Sequence, residues 1–230
     1  MKIFCCIAAW LLAVCLGLFP GKLIAANNAG GAWTTMYKSG VLNRGESEGP
    51  WRYGLYADIR YTDRLEGINQ TTLLPGVGYR INSRLSFWGG YTYFRSSVNE
   101  GPTLDEHRLF EQVSWNMVHW PRSRLQSRTR LEQRFRSGRE GTDLRLRQQF
   151  RLDARLASNS DLKFILGDEV FYHLRDTTWS SEGYGQNRFY TGFGWDYHNM
   201  TVEALYMHQH YRVRYLPDSA NHLLVLNFKM

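Results

Sequence analysis

The sequence predicts an all-β protein, an antiparallel transmembrane β-barrel of about ten strands, with twelve strands as the alternative. Three observations lead to this fold class. The chain opens with an apolar leader, it is polar on average yet rich in aromatic residues, and apolar and polar residues alternate through many long segments. A barrel with an apolar outside and a wet inside combines the last two features, and export to the outer membrane requires the first.

The first residues have the order of a secretory signal peptide. Lys2 supplies a positive charge, an apolar run over residues 3–19 follows, and small residues end at Ala26. This order predicts a signal peptide over residues 1–26 that is removed on export. A permanent membrane anchor is the alternative, because the run approaches the ~20 residues that span a bilayer as a helix.

The rest of the chain divides into two predicted parts. We expect residues 27–50 to form an N-terminal segment, either an extra strand or a plug, and residues 51–230 to form the barrel. All three cysteines lie within the predicted leader, at positions 5, 6 and 15. The mature chain would therefore contain no disulfide, cysteine-metal site or cysteine nucleophile.

Composition and charge exclude other classes of protein. The mean hydropathy of −0.45 is too polar for a bundle of membrane helices, while aromatic residues make up 15% of the chain. The formal net charge of +7 could indicate a nucleic-acid partner. We expect none, because the arginines follow strand alternation and export would separate the protein from nucleic acid.

The clearest alternation runs from Asp143 to Leu156. Even positions from Leu144 onward carry apolar side chains, with Gln148 as the exception, and odd positions carry charged or polar ones. A strand places each set on one face, whereas a helix would scatter both sets. Residues 124–136 repeat the pattern more weakly. Eight further segments are predicted strands: Trp51–Tyr61, Thr71–Ile81, Leu85–Arg95, Arg108–Val118, Leu162–His173, Arg188–Tyr197, Thr201–Tyr211 and Asn221–Met230.

The predicted connections alternate between short and long. Asn82-Ser83 and His198-Asn199 are short polar turns, whereas Ser96–Asp105 and Leu174–Gly185 are longer. Outer-membrane barrels have short periplasmic turns and longer external loops, and their strand counts are even in single-chain bacterial examples. A strand at Trp33–Ser39 would be an eleventh, so we expect it to be a lumen or periplasmic piece, or one of two extra strands.

The arginine-bearing faces predict a charged lumen. A turn centred near Arg139-Glu140 would place Glu132 opposite Arg147 and Arg136 opposite Asp143, and such cross-strand pairs contribute about 0.2–1 kcal/mol each. Further carboxylates are expected from other strands: Glu111, Glu169, Glu203, Asp58 and Asp196. The predicted lumen charge network consists of Arg128, Arg130, Glu132, Arg134, Arg145, Arg147, Arg151, Glu169 and Arg188.

This network has two interpretations. It is either a salt-bridged lattice that holds a narrow barrel together, or the lining of a narrow pore for a small anionic solute, since rings of arginine favour anions. The adjacent acids Asp168 and Glu169 also need an explanation, because neighbouring strand residues face opposite ways. Either Asp168 faces outward, or a bulge at Gly167 turns both acids inward.

Four short motifs occur in a characteristic order. They are Glu132-Gln133-Arg134-Phe135, Asp168-Glu169-Val170-Phe171, Asn187-Arg188-Phe189-Tyr190 and Gly192-Phe193-Gly194. Over residues 33–230 the chain resembles the family called domain of unknown function 2490. The resemblance implies an outer-membrane β-barrel and no established activity. Met230 departs from the aromatic residue with which such barrels usually end, although Phe228 lies on the same predicted face.

No catalytic signature was found in the sequence. We therefore expect no enzyme, no cofactor and no bound metal, and an outer-membrane barrel that is structural or narrowly pore-like. The alternative is a lipid-modifying outer-membrane enzyme that uses lumen or rim histidines, with His173, His208 and His210 as candidates. The expected location is the outer membrane of a Gram-negative bacterium, and the expected partners are its lipids and the barrel-assembly machinery.

Overall fold

The computed structural model describes residues 28–42, 49–62, 65–97, 103–212 and 218–230. The predicted signal peptide lies outside the described residues. Within them the chain forms eleven strands, and no helix there is long and apolar enough to cross a membrane. The strands are β1 (Asn28–Val41), β2 (Trp51–Thr62), β3 (Leu65–Arg80), β4 (Leu85–Ser96), β5 (Leu104–His119), β6 (Ser123–Arg136), β7 (Asp143–Arg155), β8 (Leu162–His173), β9 (Gly183–Tyr197), β10 (Met200–Tyr211) and β11 (Ser219–Lys229).

The strands close into a single barrel. Each strand from β2 to β10 pairs antiparallel with the next, and β1 lies between β11 and β2. β1 runs antiparallel to β2 but parallel to β11, with Ala32 opposite Leu224. The expected count of ten strands was therefore wrong. A closed ring with an odd number of strands cannot be antiparallel throughout and must contain a parallel pair. Here β1 pairs with both β2 and β11, so the edges of these two strands do not expose unpaired backbone groups.

Strand alternation separates an outer face from an inner one. Apolar side chains such as Leu73, Val77 and Phe87 point outward and are exposed, while Glu106, Glu132 and Glu203 point inward and are buried. Exposed aromatic residues lie near strand ends, including Trp51 and Trp195. The period of two in the sequence therefore distributes the residues as expected for a barrel with an apolar exterior.

Polar residues on the outer face bond to one another. Gln148 accepts a hydrogen bond from Thr129 Oγ1 at 2.6 Å and donates one to Ser127 Oγ at 2.8 Å. Asp168 also faces outward, and its carboxylate accepts from Asn187 Nδ2 at 2.8 Å. The side-chain groups that interrupt the apolar rows are thus satisfied within the sheet.

The bulge considered at Gly167 does not form. β8 keeps a continuous register against β7 at this point, with Gly167 opposite Arg151. The glycine instead makes room for the ring of Tyr190, which would collide with any Cβ at position 167. The acids at 168 and 169 consequently face opposite sides of the barrel wall.

The hairpin between β6 and β7 has a register two residues away from the predicted one. Glu132 lies opposite Arg145, and Arg134 lies opposite Asp143. The chain reverses earlier than expected, because Arg139 N donates to Arg136 O at 3.2 Å across a turn in which Gly138 has a φ of 69°. The predicted register would also place Arg134 opposite Arg145, whereas in the observed register each of these arginines lies opposite a carboxylate.

We expect β1 and β11 to cross-link in the parallel register. Ala32→Cys with Leu224→Cys, in protein expressed without the three native cysteines, should form a disulfide on oxidation, because opposite residues in neighbouring strands fall within the ~4.4–6.8 Å Cα separation that a disulfide spans. Altered migration on a non-reducing gel measures this. Ala32→Cys with Phe228→Cys is the matched control, displaced by roughly 13 Å along the strand. Equal cross-linking of both pairs would contradict the register.

Candidate functional site

The barrel encloses a cavity of about 1520 Å³. We call the end with the connections 81–84, 120–122, 156–161 and 198–199 the turn rim, and the opposite end the loop rim. Lys163 and Lys229 line the cavity near the turn rim, and Leu104 and Trp179 line it near the loop rim. The lumen therefore extends between the two ends, and its chemistry is set by inward side chains of nearly every strand.

Glu132, on β6, is the centre of the arginine-rich wall and is only 1% exposed. Its carboxylate accepts from Arg145 and, at 2.6 Å, from Arg147 Nη1. Arg130 Nη1 lies 3.7 Å from the same carboxylate. Three guanidiniums thus surround one buried glutamate. One of these guanidiniums comes from β6, the strand that carries Glu132, and two come from β7.

Glu169, on β8, repeats this arrangement. Arg128 Nη2 and Arg147 Nη2 each lie 2.7 Å from its Oε1. Arg188 Nη1 lies 3.9 Å from Oε2. Arg147 therefore connects two glutamates, since it also bonds to Glu132.

Glu106, on β5, is the third glutamate of this kind and is fully buried. Arg108 Nε donates to it at 2.6 Å, Arg134 Nε at 2.7 Å and Arg136 Nη2 at 3.0 Å. The sequence prediction missed Glu106, because the residue lies between the predicted loop, which ended at Asp105, and the predicted strand, which began at Arg108. Extending the alternation of β5 by one more inward position would have identified it.

The shared glutamates leave the wall with surplus positive charge. Eight arginines contact these three carboxylates, and one further carboxylate, Asp143, accepts from Arg134 Nη1 at 2.6 Å. Guanidiniums also cover aromatic rings. The Cζ atoms of Arg145, Arg147 and Arg188 lie 5.2, 4.6 and 4.6 Å from the centre of the Phe171 ring. Such contacts stabilise a cation by about 0.5–2 kcal/mol without neutralising it.

Arg151, the remaining residue of the predicted network, belongs to a second group of charges near the turn rim. Arg151 donates to Glu203 at 2.6 Å and to Asp153 at 2.7 Å. Lys229 Nζ also lies 2.7 Å from Glu203. All nine residues predicted for the lumen network point into the cavity, where they join carboxylates from five strands.

Of the five carboxylates expected from other strands, four bind lumen cations and one faces outward. Asp58 binds Arg60 through two bonds of 3.0 Å, and Asp196 binds Lys163 at 2.6 Å. Glu111 was predicted wrongly: it is exposed on the outer face, because the inward neighbour on β5 is Phe110. Glu106 occupies the lumen in its place. Glu169 and Glu203 lie in the lumen, bound as described above.

One part of the lumen, which we call the apolar wall, consists of buried apolar side chains. Its buried side chains come from β1, β8, β9, β10 and β11: Trp33, Ile165, Tyr190, Leu205, Met207, Leu223 and Val225. Apolar side chains beside the charged ones lower the local dielectric constant in this part of the lumen. Electrostatic interactions inside it are therefore stronger than in bulk water.

The loop between β8 and β9, residues 174–182, folds into the mouth of the lumen at the loop rim. The Trp179 ring lies under two guanidiniums, with Arg136 Cζ at 4.2 Å and Arg134 Cζ at 4.9 Å from its centre. Thr178 Oγ1 donates to Glu140 O at 3.0 Å. These contacts fix the loop against the neighbouring connection, so the loop narrows the opening.

Ser180, His173 and Asp143 meet at the loop rim, which bears on the enzyme alternative. Ser180 Oγ lies 2.7 Å and Asp143 Oδ2 lies 2.9 Å from the same atom, His173 Nδ1. A catalytic triad uses different ring nitrogens for the serine and the acid. Here both compete for one nitrogen, so the three residues do not form a proton relay.

The other histidines lie elsewhere. His208 faces outward on β10, opposite His222 of β11, and His210 shares that strand. Over the described parts of the chain, no three residues among histidine, cysteine, aspartate and glutamate are grouped closely enough to hold a metal ion. The three candidate histidines therefore lie apart, with His173 lining the lumen and His208 and His210 on β10 facing outward.

Comparison with known proteins gives a family but no activity. The profile of a family described as "Protein of unknown function (DUF2490)" matches residues 30–215. An uncharacterised protein of Methylorubrum extorquens is 27% identical over 184 residues, which cover 79% of this chain and 81% of the relative. The ordered motifs that suggested this family, including those around Glu132, Glu169 and Arg188, lie in the matched region.

We expect Glu132→Gln to destabilise the barrel strongly. The substitution leaves Arg145, Arg147 and Arg130 without their shared carboxylate, and removing one partner of a buried ion pair costs about 3–5 kcal/mol. Urea unfolding of the detergent-solubilised protein measures the change. Glu140→Gln removes the same charge from an exposed loop and should change stability by less than ~0.5 kcal/mol. Equal stability of the two variants would contradict this expectation, because it would mean that the three arginines do not need the carboxylate of Glu132.

Proposed function

The chain belongs to the DUF2490 family of proteins of unknown function, and we propose that it is an outer-membrane β-barrel whose arginine-lined lumen admits small anions. The observation that carries this proposal is the surplus of guanidiniums over carboxylates around a cavity lined by residues of both rims. The proposed location is a Gram-negative outer membrane, with its lipids and the barrel-assembly machinery as partners.

The outer face supports insertion in a membrane. Apolar side chains such as Leu55, Ile59, Leu73 and Val77 are between 46% and 47% exposed, which is costly for a protein surrounded by water. Aromatic residues near the strand ends match the interfacial belts of membrane barrels. The mutual hydrogen bonding of outward polar groups also fits lipid, where unsatisfied groups cost several kcal/mol.

The inner face supports passage of anions over cations. Arginine rings line anion-selective pores, because positive charge attracts the permeating ion and repels its counterion. In this lumen each of three glutamates is shared by three arginines, so the wall of β5 to β9 keeps positive potential after internal pairing. The inserted loop with Trp179 restricts the proposed solutes to small ones.

We expect the protein to fractionate with outer membranes and to migrate as a compact band on a gel when it is not boiled. Barrels resist unfolding by detergent until they are heated, because every strand is paired with two neighbours. Immunoblotting of separated inner membrane, outer membrane and periplasm makes the measurement. Recovery in the periplasm without a heat-modifiable band would contradict the proposed location.

We expect planar-bilayer currents in a KCl gradient to reverse toward the chloride equilibrium potential. Arg130→Gln should shift the reversal potential toward zero, because it removes a lumen charge whose close hydrogen-bond partner is the neutral Gln112. Lys38→Gln is the matched control, since it removes one positive charge from the outer face. Cation-directed reversal in the unaltered protein, or an equal shift in both variants, would contradict anion selection by the lumen.

A further inference from the structure

Arg188, on β9, is the arginine of the shared-glutamate wall that is least neutralised. Its Nη1 lies 3.9 Å from Glu169 Oε2, and the other oxygen of this carboxylate, Oε1, is bound by Arg128 and Arg147 at 2.7 Å. With the Gln186 amide oriented to satisfy its neighbours, its oxygen accepts from Arg188 Nε at 2.6 Å. The close partner of this guanidinium is therefore neutral, and its charge stays available.

A second guanidinium approaches Arg188 from another part of the ring. Arg60 belongs to β2, and three strands, β1, β11 and β10, separate it from β9. Both side chains reach the same indole: Arg60 Cζ lies 3.8 Å and Arg188 Cζ lies 4.9 Å from the ring centre of Trp33. Two like charges thus converge inside the lumen, although like charges in a low-dielectric interior repel each other.

The carboxylate beside Arg60 balances only one of these two charges. Asp58 binds Nε and Nη2 of Arg60 at 3.0 Å each. The remaining guanidinium nitrogen, Nη1, donates to the neutral Gln70 at 3.3 Å. A guanidinium has five N–H donors, so Arg60 keeps donors for a further acceptor after these bonds.

Trp33 supplies an independent observation. The residue is 5% exposed and lines the cavity, and its Nε1 has no hydrogen-bond partner among the described residues. An indole nitrogen can only donate, and a buried donor without an acceptor costs about 1–3 kcal/mol. Native interiors rarely keep such a group, so the indole N–H is available to donate to an acceptor in the cavity.

We propose that Trp33, Arg60 and Arg188 form a binding site for a small oxyanion, such as phosphate or a carboxylate, within the lumen. The oxyanion would neutralise the second cation, accept from the guanidinium forks and satisfy the indole N–H. Planar guanidiniums match the several oxygens of an oxyanion better than a single spherical ion. The site therefore distinguishes oxyanions from chloride. It rests on the proposed function for the route of entry, but not for binding itself.

The test titrates inorganic phosphate into the purified, detergent-solubilised protein by calorimetry, at constant chloride concentration. Arg188→Gln should weaken phosphate binding at least ~10-fold, because hydrogen bonds to charged groups contribute about 1.5–3 kcal/mol. Trp33→Phe should weaken it about 5-fold through loss of one neutral donor. Arg155→Gln is the control, since this arginine lies at the turn rim with a side chain that is 51% exposed. It should bind phosphate like the unaltered protein.

A compact unboiled band verifies folding of each variant, and Arg188→Lys provides a second test at the same position. Lysine keeps the charge but lacks the fork, so binding should be intermediate. Absence of phosphate binding by the unaltered protein, or equal binding by the Arg188→Gln and Arg155→Gln variants, would overturn the site. Conductance without phosphate binding would contradict the oxyanion site but support passage of anions through the lumen. If the protein binds phosphate, loses this binding in the Arg188→Gln variant and shows no conductance, the result would support the oxyanion site and contradict passage of anions through the lumen.

Discussion

The interior depends on the sharing of buried glutamates between arginines. Burying a charge costs several kcal/mol unless an opposite charge and hydrogen bonds compensate it. On the wall from β5 to β9, Glu106, Glu132 and Glu169 each lie among three guanidiniums, so each carboxylate separates arginines that would otherwise repel one another. The inward face of these strands can be rich in arginine only because a glutamate occurs on β5, β6 and β8.

This sharing also links structure to the proposed function. If every arginine had its own carboxylate, the lumen would be a neutral, rigid plug. Because three arginines share each glutamate, positive charge remains beside a cavity of about 1520 Å³. The apolar wall around Leu205 and Val225 strengthens the field of the unpaired guanidiniums by lowering the local dielectric constant. The surplus to which we attribute anion preference includes Arg188, which converges with Arg60 on Trp33.

Local patterns predicted much of the molecule. The alternation of Asp143–Leu156 predicted β7 and the faces of its side chains, and the ordered motifs predicted the family, which the family comparison confirmed. The candidate site was predicted incompletely. Glu106 was missed because a strand boundary carries no alternation of its own, and Glu111 was placed inside because a shift of one residue reverses the face. The partners of Glu132 were displaced by two residues, since the register depends on where the chain turns.

The sequence by itself determined the all-β class, the alternating faces of the strands and the excess of arginine on the inner one, because these follow from local spacing. Only the tertiary structure decided the number of strands, the parallel contact of β1 with β11 and the partners of each arginine. Closure is a property of the whole ring, and it requires two distant segments to meet in a common register. The approach of Arg188 to the neighbouring Trp33 and Arg60 is of the same kind, since β9 faces the β1–β2 pair only after the barrel closes.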